Sequence, residues 1–208
     1  MPYPKSERSA AQIVAAATRV LAAKGYARTS LLDIAREAGM SKGALHYHFS
    51  TKEALVSKVL ESALEKFATR TLEAWAKTPG DPMQGLRSAV EELWILRRNR
   101  TDEVAVVADL LAQSLYDPAL RPQIAAYYRF AAAQVNTTLV PLLAALGLRT
   151  HIAPELIPRL LVGLLDGLVM QHFVDEQAID TAELLKGVEA IAGALFEPIP
   201  PAGTGAPR

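Results

Sequence analysis

The chain has no cysteine and only four histidines among its 208 residues. Disulfides, thiol catalysis and cysteine-based zinc sites are thereby excluded, and the composition suits a reducing compartment. His46 and His48 are two positions apart, which on a helix points them about 200° from each other, so a shared metal is not expected. His151 and His172 lie far off in sequence, and no zinc constellation can be assembled. Long apolar runs are missing as well: Leu160 to Leu165 is interrupted by Asp166, well short of a membrane-crossing length. The opening residues MPYPKSERSA lack the apolar core of a signal peptide, so a cytoplasmic location with no membrane partner is expected. Signatures of catalysis are absent too, with no glycine-rich phosphate loop, nucleophile elbow, metal spacing or close acid pair. Asp166 and His172 are six residues apart, off a single helical face. No enzyme, metal or cofactor is expected.

Excess charge of either sign is also lacking, with 22 Lys and Arg against 22 Asp and Glu. Neutrality at first counts against nucleic acid, but the charge is unevenly placed. Residues 1–53 hold 8 basic and 4 acidic side chains, and the remainder holds 14 against 18, so a head of +4 precedes a body of −4. Phosphate contacts need only local positive potential. Half of the residues are hydrophobic, enough for one or two domains with a core. The apolar spacing is helical almost throughout, without strand alternation, and the fold class is all-α.

The basic head contains the segment TSLLDIAREAGMSKGALHYHFSTKEAL, residues 29–55. Ser30 and Asp33 make a capping box that starts a short helix, in which Leu31, Ile34, Ala35 and Ala38 share one face and Gly39 supplies the left-handed stop. Ser41 caps the next helix. There Leu45 and Phe49 turn inward, while Lys42, Gly43, His46 and Tyr47 fall on other faces. The small Gly43 and Ala44 leave its N-terminal end slim, which suits entry into a major groove. Ser50 with Glu53 forms a further capping box opening a long helix, whose first turn offers backbone N–H groups and Lys52 to a phosphate. An earlier helix, Ser9 to Lys24, starts from a Ser9–Gln12 box, buries Ile13, Ala17, Val20 and Leu21, and ends at Gly25. The whole is a helix-turn-helix layout.

These residues resemble the DNA-binding domain of the tetracycline repressor (TetR) family of bacterial transcription regulators. The matching pattern is Thr29-Ser30, Asp33-Ile34-Ala35, Ala38-Gly39, Ser41-Lys42-Gly43, Leu45, Tyr47-His48-Phe49 and Lys52-Glu53-Ala54-Leu55. The resemblance implies base contacts from Lys42, Gly43, Ala44 and His46, and phosphate contacts from Thr29, Ser30, Tyr47, His48 and Lys52. His46 stands where a tyrosine is common and Leu32 where a polar residue often occurs, so base preference cannot be copied from a relative. The expected organisation is a helix-turn-helix DNA-binding domain over 1–53, a helical ligand-binding and dimerisation domain over 54–197, and a disordered Pro- and Gly-rich tail over 198–208.

Beyond the head, Asp81-Pro82, Asp117-Pro118 and Ala153-Pro154 mark helix starts. Helices are expected near 52–76, 83–99, 102–115, 118–146, 154–175 and 181–196, with Pro141 and Pro158 as kinks or boundaries. Gly163, Gly167, Gly187 and Gly193 sit inside the last two, although an interior glycine costs roughly 1 kcal/mol against alanine. Close helix approach would offset that cost. Leu160, Gly163, Leu164, Gly167, Val188, Ile191 and Leu195 are therefore expected at a symmetric dimer interface, with packing inside one subunit as the alternative. The resemblance implies a four-helix dimer bundle, which favours the first.

Polar groups set in apolar helices are the clue to a ligand: Asp109, Gln113, Asp166, Gln171 and His172. Trp94, Tyr127, Phe130, Met170 and Phe173 could wall a cavity around them, although each could equally be core. The resemblance implies such a cavity for a small, largely apolar effector. The expected effector residues are Trp94, Asp109, Gln113, Tyr127, Phe130, Asp166, Met170 and Phe173. The function implied is a regulator, in the first instance a repressor, that binds a palindromic operator as a homodimer and is released by its effector. An activator of the same fold, or a helical adaptor that no longer binds DNA, is the alternative.

Overall fold

The computed structural model describes residues 4–78 and 80–199. Helix α1 spans Pro4–Lys24, starting earlier than the Ser9–Gln12 box suggests, because proline has no N–H to lose in a first turn. Ser9 lies inside the helix. Gln12 is free for another use, and its Nε2 donates to the Ala38 carbonyl at 2.8 Å. Gly25 then turns the chain at a φ of +75°. Helices α2 (Leu31–Glu37), α3 (Lys42–His48) and α4 (Lys52–Ala76) follow. Ile13, Ala17, Val20, Leu21, Ile34, Ala35, Leu45 and Phe49 are all buried, as their spacing requires, and Leu55, Val56 and Val59 of α4 complete this core.

The long helix α4 is not opened by Ser50. Thr51 stands immediately before Lys52, and its Oγ1 accepts the Ala54 N–H at 3.1 Å. The Glu53 carboxylate is turned to another partner, accepting from the Tyr26 hydroxyl at 3.2 Å. The cap is thus displaced by one residue, and the return bond of the box gives way to a tertiary contact.

Helices α5 (Pro82–Arg98), α6 (Asp102–Ser114), α7 (Arg121–Ala145), α8 (Ile157–Val174) and α9 (Thr181–Leu195) occupy the remainder. The proline-marked starts hold in modified form. The Asp81 side chain accepts from Gln84 N, while Pro118–Leu120 and Pro154–Leu156 are single 3₁₀ turns leading into α7 and α8. Helix α7 continues through Pro141.

The chain forms two compact units. The first holds the described residues through Arg70 together with Ile95–Phe130, and α1 packs there against both α2 and α6. The second holds Thr71–Trp94 and the described residues from Ala131 onward. In the second unit Arg87 of α5 is paired with Glu189 of α9 at 2.5 Å, and Trp94 is fully buried with its Nε1 donating to Thr181 Oγ1 at 3.1 Å.

Two features of the second unit depart from the sequence-based expectation. Strands β1 (Leu148–Thr150) and β2 (Phe196–Pro198) pair antiparallel, Leu148 facing Pro198 and Thr150 facing Phe196. Ile199 N extends the pairing to the Gly147 carbonyl at 2.7 Å, and Arg149 is paired with Glu197. Strands of three residues are too short to show alternation. The tail expected from Pro198 therefore begins inside a strand, and its residues 200–208 lie outside the described residues. The second departure is hydropathy: the 21-residue stretch Pro154–Val174, whose most apolar 18-residue window has a mean hydropathy of 1.3, is long and apolar enough to cross a membrane despite Asp166.

Candidate nucleic-acid interface

The reader is built from local chemistry. The Ser30 hydroxyl accepts the Asp33 N–H at 3.1 Å while Asp33 Oδ2 accepts the Ser30 N–H at 3.0 Å, so the capping box closes as expected. The Ser30 hydroxyl also donates to Asp33 Oδ2 at 2.6 Å, and this bond, the Ser30 N–H and Lys24 at 3.1 Å together hold the Asp33 carboxyl well below the usual carboxylate range. Helix α2 ends in a left-handed Gly39 (φ +64°), where Gly39 N donates to Arg36 O and Met40 N to Ala35 O. Both bonds of a Schellman stop are thus present. Ser41 Oγ then accepts Ala44 N at 3.1 Å and starts α3.

Helix α3 buries Leu45 and leaves Lys42, Gly43, Ala44, His46 and Tyr47 exposed. An added Cβ on Gly43 would meet nothing nearer than Ser41 Oγ at 3.9 Å, so its N-terminal end is slim from outside and inside alike. Arg19 and Lys24 are committed to Glu37 and Asp33, whereas Lys42 makes no ion pair among the described residues. Tyr47 is 80% exposed and stands edge-on to the half-buried His48 at 5.1 Å. Leu32, the apolar departure on α2, is also exposed.

Two residues assigned to the phosphates are placed otherwise than expected. Thr29 is 4% exposed, and its hydroxyl donates to the Gly25 carbonyl at 2.8 Å, so it closes the turn after α1 rather than facing solvent. Lys52 stands at the start of α4, but its Nζ donates to the Tyr26 carbonyl and lies 3.7 Å from the Tyr26 ring centroid. Burial lowers its pKa from the ordinary lysine value. Tyr26 is gripped elsewhere too, since its N–H donates to Asp109 Oδ2 at 2.6 Å. Burial and the neighbouring Glu53 carboxylate push its phenol up to about 12. Sequence alone could not find Asp109, which is 83 residues from Tyr26.

Asp109 was expected at the effector. Here it serves the turn after α1. Of the other effector candidates, Gln113, Tyr127 and Phe130 fall in the first unit, and Trp94, Asp166, Met170 and Phe173 in the second. Tyr127 is buried and stacks edge-on to Tyr128, while Phe130 and Met170 are exposed. Trp94 meets His172 edge-on at 5.5 Å, and His172 Nδ1 is buried without a hydrogen-bond partner among the described residues. A groove of about 630 Å³ in the first unit runs along α1 and α4, with Phe49 and Glu103 among its lining, and contains none of these candidates.

On α8 and α9, a Cβ added at Gly163, Gly167, Gly187 or Gly193 would meet nothing within 4 Å among the described residues. Leu160 is 45% and Ile191 42% exposed, and Leu164 is exposed beside them, with Val188 and Leu195 half-buried. Among the described residues, no side chain packs against these four glycines.

Comparison with known proteins agrees with this fold. The family model for bacterial regulatory proteins of the TetR family matches residues 13–59, and that for the C-terminal domain of BetI-type transcriptional repressors matches residues 82–197. The chain is 32% identical over 99 residues to the HTH-type transcriptional regulator AcrR of Shigella flexneri, covering 48% of this chain and 45% of that protein, about half the length of each. A TetR transcription regulator from Haloarcula marismortui has a similar structure, with a TM-score of 0.70 and 21% identity over 92% of this chain and 100% of that one. The multidrug binding protein EbrR, solved with imidazole, is 26% identical with a TM-score of 0.63, over 97% of this chain and 96% of that one. The two family models cover most of the chain between them, and the protein belongs to the TetR family of bacterial transcriptional regulators.

Proposed function

We propose that this protein is a DNA-binding transcriptional repressor of the cytoplasm, which holds a palindromic operator as a homodimer and releases it when a small molecule binds. The observation that carries the DNA reading is α3: a capped helix with a buried Leu45 on one side and Lys42, Gly43, Ala44 and His46 open on the other. Such a helix can enter a major groove with its first turns against base edges. Tyr47, His48, Ser30 and Lys52 flank it as the phosphate contacts. Repression follows the match of residues 82–197 to BetI-type repressors.

The dimer reading is supported by the uncovered α8–α9 face. Four glycines facing open space, bordered by exposed leucines and Ile191, suit the close approach of a second copy. The same face gives the apolar Pro154–Val174 helix a use that needs no membrane. For the effector, the buried and unsatisfied His172 Nδ1 beside Trp94 supports a polar contact within a largely apolar site. Effector binding would shift the two α3 helices away from the spacing of roughly 34–36 Å that successive major grooves require.

Selection of the purified protein on random duplexes, followed by gel shift, tests this function. A two-fold symmetric sequence should emerge, with half-sites about one helical turn apart. Recovery of no enriched sequence would instead mark a helical adaptor that no longer reads DNA.

A further inference from the structure

Asp109 lies in α6, outside the head, yet it reaches the turn that follows α1. Both of its carboxylate oxygens come within 3.5 Å of where a Cβ on Gly25 would stand, and Oδ2 accepts the Tyr26 N–H at 2.6 Å. Tyr26, itself buried, is then held at four points. Its N–H is on Asp109, its carbonyl accepts from Lys52, its ring lies under the Lys52 ammonium, and its hydroxyl donates to Glu53. Three elements, α6, the turn after α1 and the first turn of α4, meet on one residue.

We infer that Asp109 is a positioning residue for DNA binding, fixing Tyr26 so that Tyr26 in turn seats Lys52 at the start of α4 for its phosphate. An ammonium has three donors. One goes to the Tyr26 carbonyl and one side is covered by the ring, which leaves donor capacity for a phosphate on a lysine held to a restricted set of rotamers. Ordering done before the ligand arrives is ordering that binding need not supply. The short bond from an amide of the turn to Asp109 is charge-assisted, so it constrains Tyr26 more tightly than a neutral acceptor would. The inference rests on the DNA-binding reading above and adds a residue that no helix-turn-helix pattern contains.

A double-mutant cycle tests it. Affinity for the sequence selected by the wild-type protein, and for a random duplex, is measured for Asp109→Ala, Asp109→Asn, Lys52→Ala and the two pairs, with thermal unfolding recorded on each. Asp109→Ala should weaken both affinities about tenfold, the scale of one charged hydrogen bond, and Asp109→Asn less. Either substitution should have no further effect in the Lys52→Ala background. Losses that multiply independently of Lys52, or an unchanged affinity in folded Asp109→Ala, would overturn the role of Asp109. If Asp109→Ala does not fold, Asp109→Asn alone and combined with Lys52→Ala distinguishes the same two outcomes. Failure of the wild-type protein to bind any duplex would remove the DNA-binding reading itself, and this inference with it.

Discussion

The Lys52 ammonium sits 3.7 Å from the centre of the Tyr26 ring and donates to the carbonyl oxygen of that same tyrosine. A cation expected to wait in solvent for a phosphate is instead half-buried against the turn after α1, with burial lowering its pKa. This placement ties the start of α4 to the end of α1 and defines what its removal should do.

Lys52→Ala should weaken binding to cognate and random DNA alike, about tenfold, and lower the slope of log affinity against log salt by about 1. Titration of both duplexes across a salt series measures this. An unchanged slope would mean that Lys52 is a strut only and touches no phosphate.

The Tyr26 phenol gives a pH signature. Its folded value of about 12 lies above the ordinary tyrosine value of 10.0, so the stability it contributes is intact below pH 10 and is lost as pH rises through about 12. Lys52, held below its ordinary 10.5, acts oppositely, adding stability as pH climbs toward that value. Above 10.5 the tyrosine effect stands alone. Urea unfolding at pH 9, 10, 11 and 11.5 should therefore show a final decline that is shallower in Tyr26→Phe, and parallel curves would contradict it.

Ser30→Ala removes the cap of α2. The expected cost is about 1 kcal/mol, or a fall of about 2–4 °C in the thermal midpoint for a chain of this size. Asp33, whose carboxyl is held low by Ser30 and Lys24, contributes stability that is present above its unfolded value of about 3.9 and lost as pH falls toward the depressed one. Asp33→Asn should flatten the acid side of the stability profile, read by denaturant unfolding between pH 5 and 2.

The dimer rests on surface that a single chain leaves open. Leu160→Asp or Ile191→Asp places a charge on that face without entering the subunit core, since both residues are over 40% exposed. Sedimentation at micromolar concentration should show monomer for the variants and dimer for the parent, with helical content unchanged. A parent that sediments as monomer would remove the interface.

Local chemistry was legible in the sequence wherever one short segment decides the outcome. The Ser30–Asp33 box, the Gly39 stop, the Ser41 cap and the buried Leu45 all stand where spacing put them. What escaped depends on distant partners or on competition between neighbours. Thr29 resembles a solvent-facing hydroxyl until its donation to Gly25 and its burial are seen. Thr51 rather than Ser50 caps α4, a shift of one residue that pattern cannot resolve when Ser and Thr are adjacent. Asp109 looks like a polar group in an apolar helix, which fits a ligand as well as it fits Tyr26. The pairing of β1 with β2 joins segments 48 residues apart that carry no strand signal.

The most direct test of the reader is Gly43→Glu. Gly43 has ordinary helical backbone and open space for a side chain, and an acidic group in the first turn of a helix favours its dipole, so the variant should fold with a thermal midpoint equal to or above the parent's. In the groove, the added carboxylate would face bases and phosphates, where like-charge juxtaposition costs several kcal/mol. Binding to the selected palindrome should fall by at least about 100-fold. Operator affinity retained in a folded Gly43→Glu protein would show that α3 does not enter the groove.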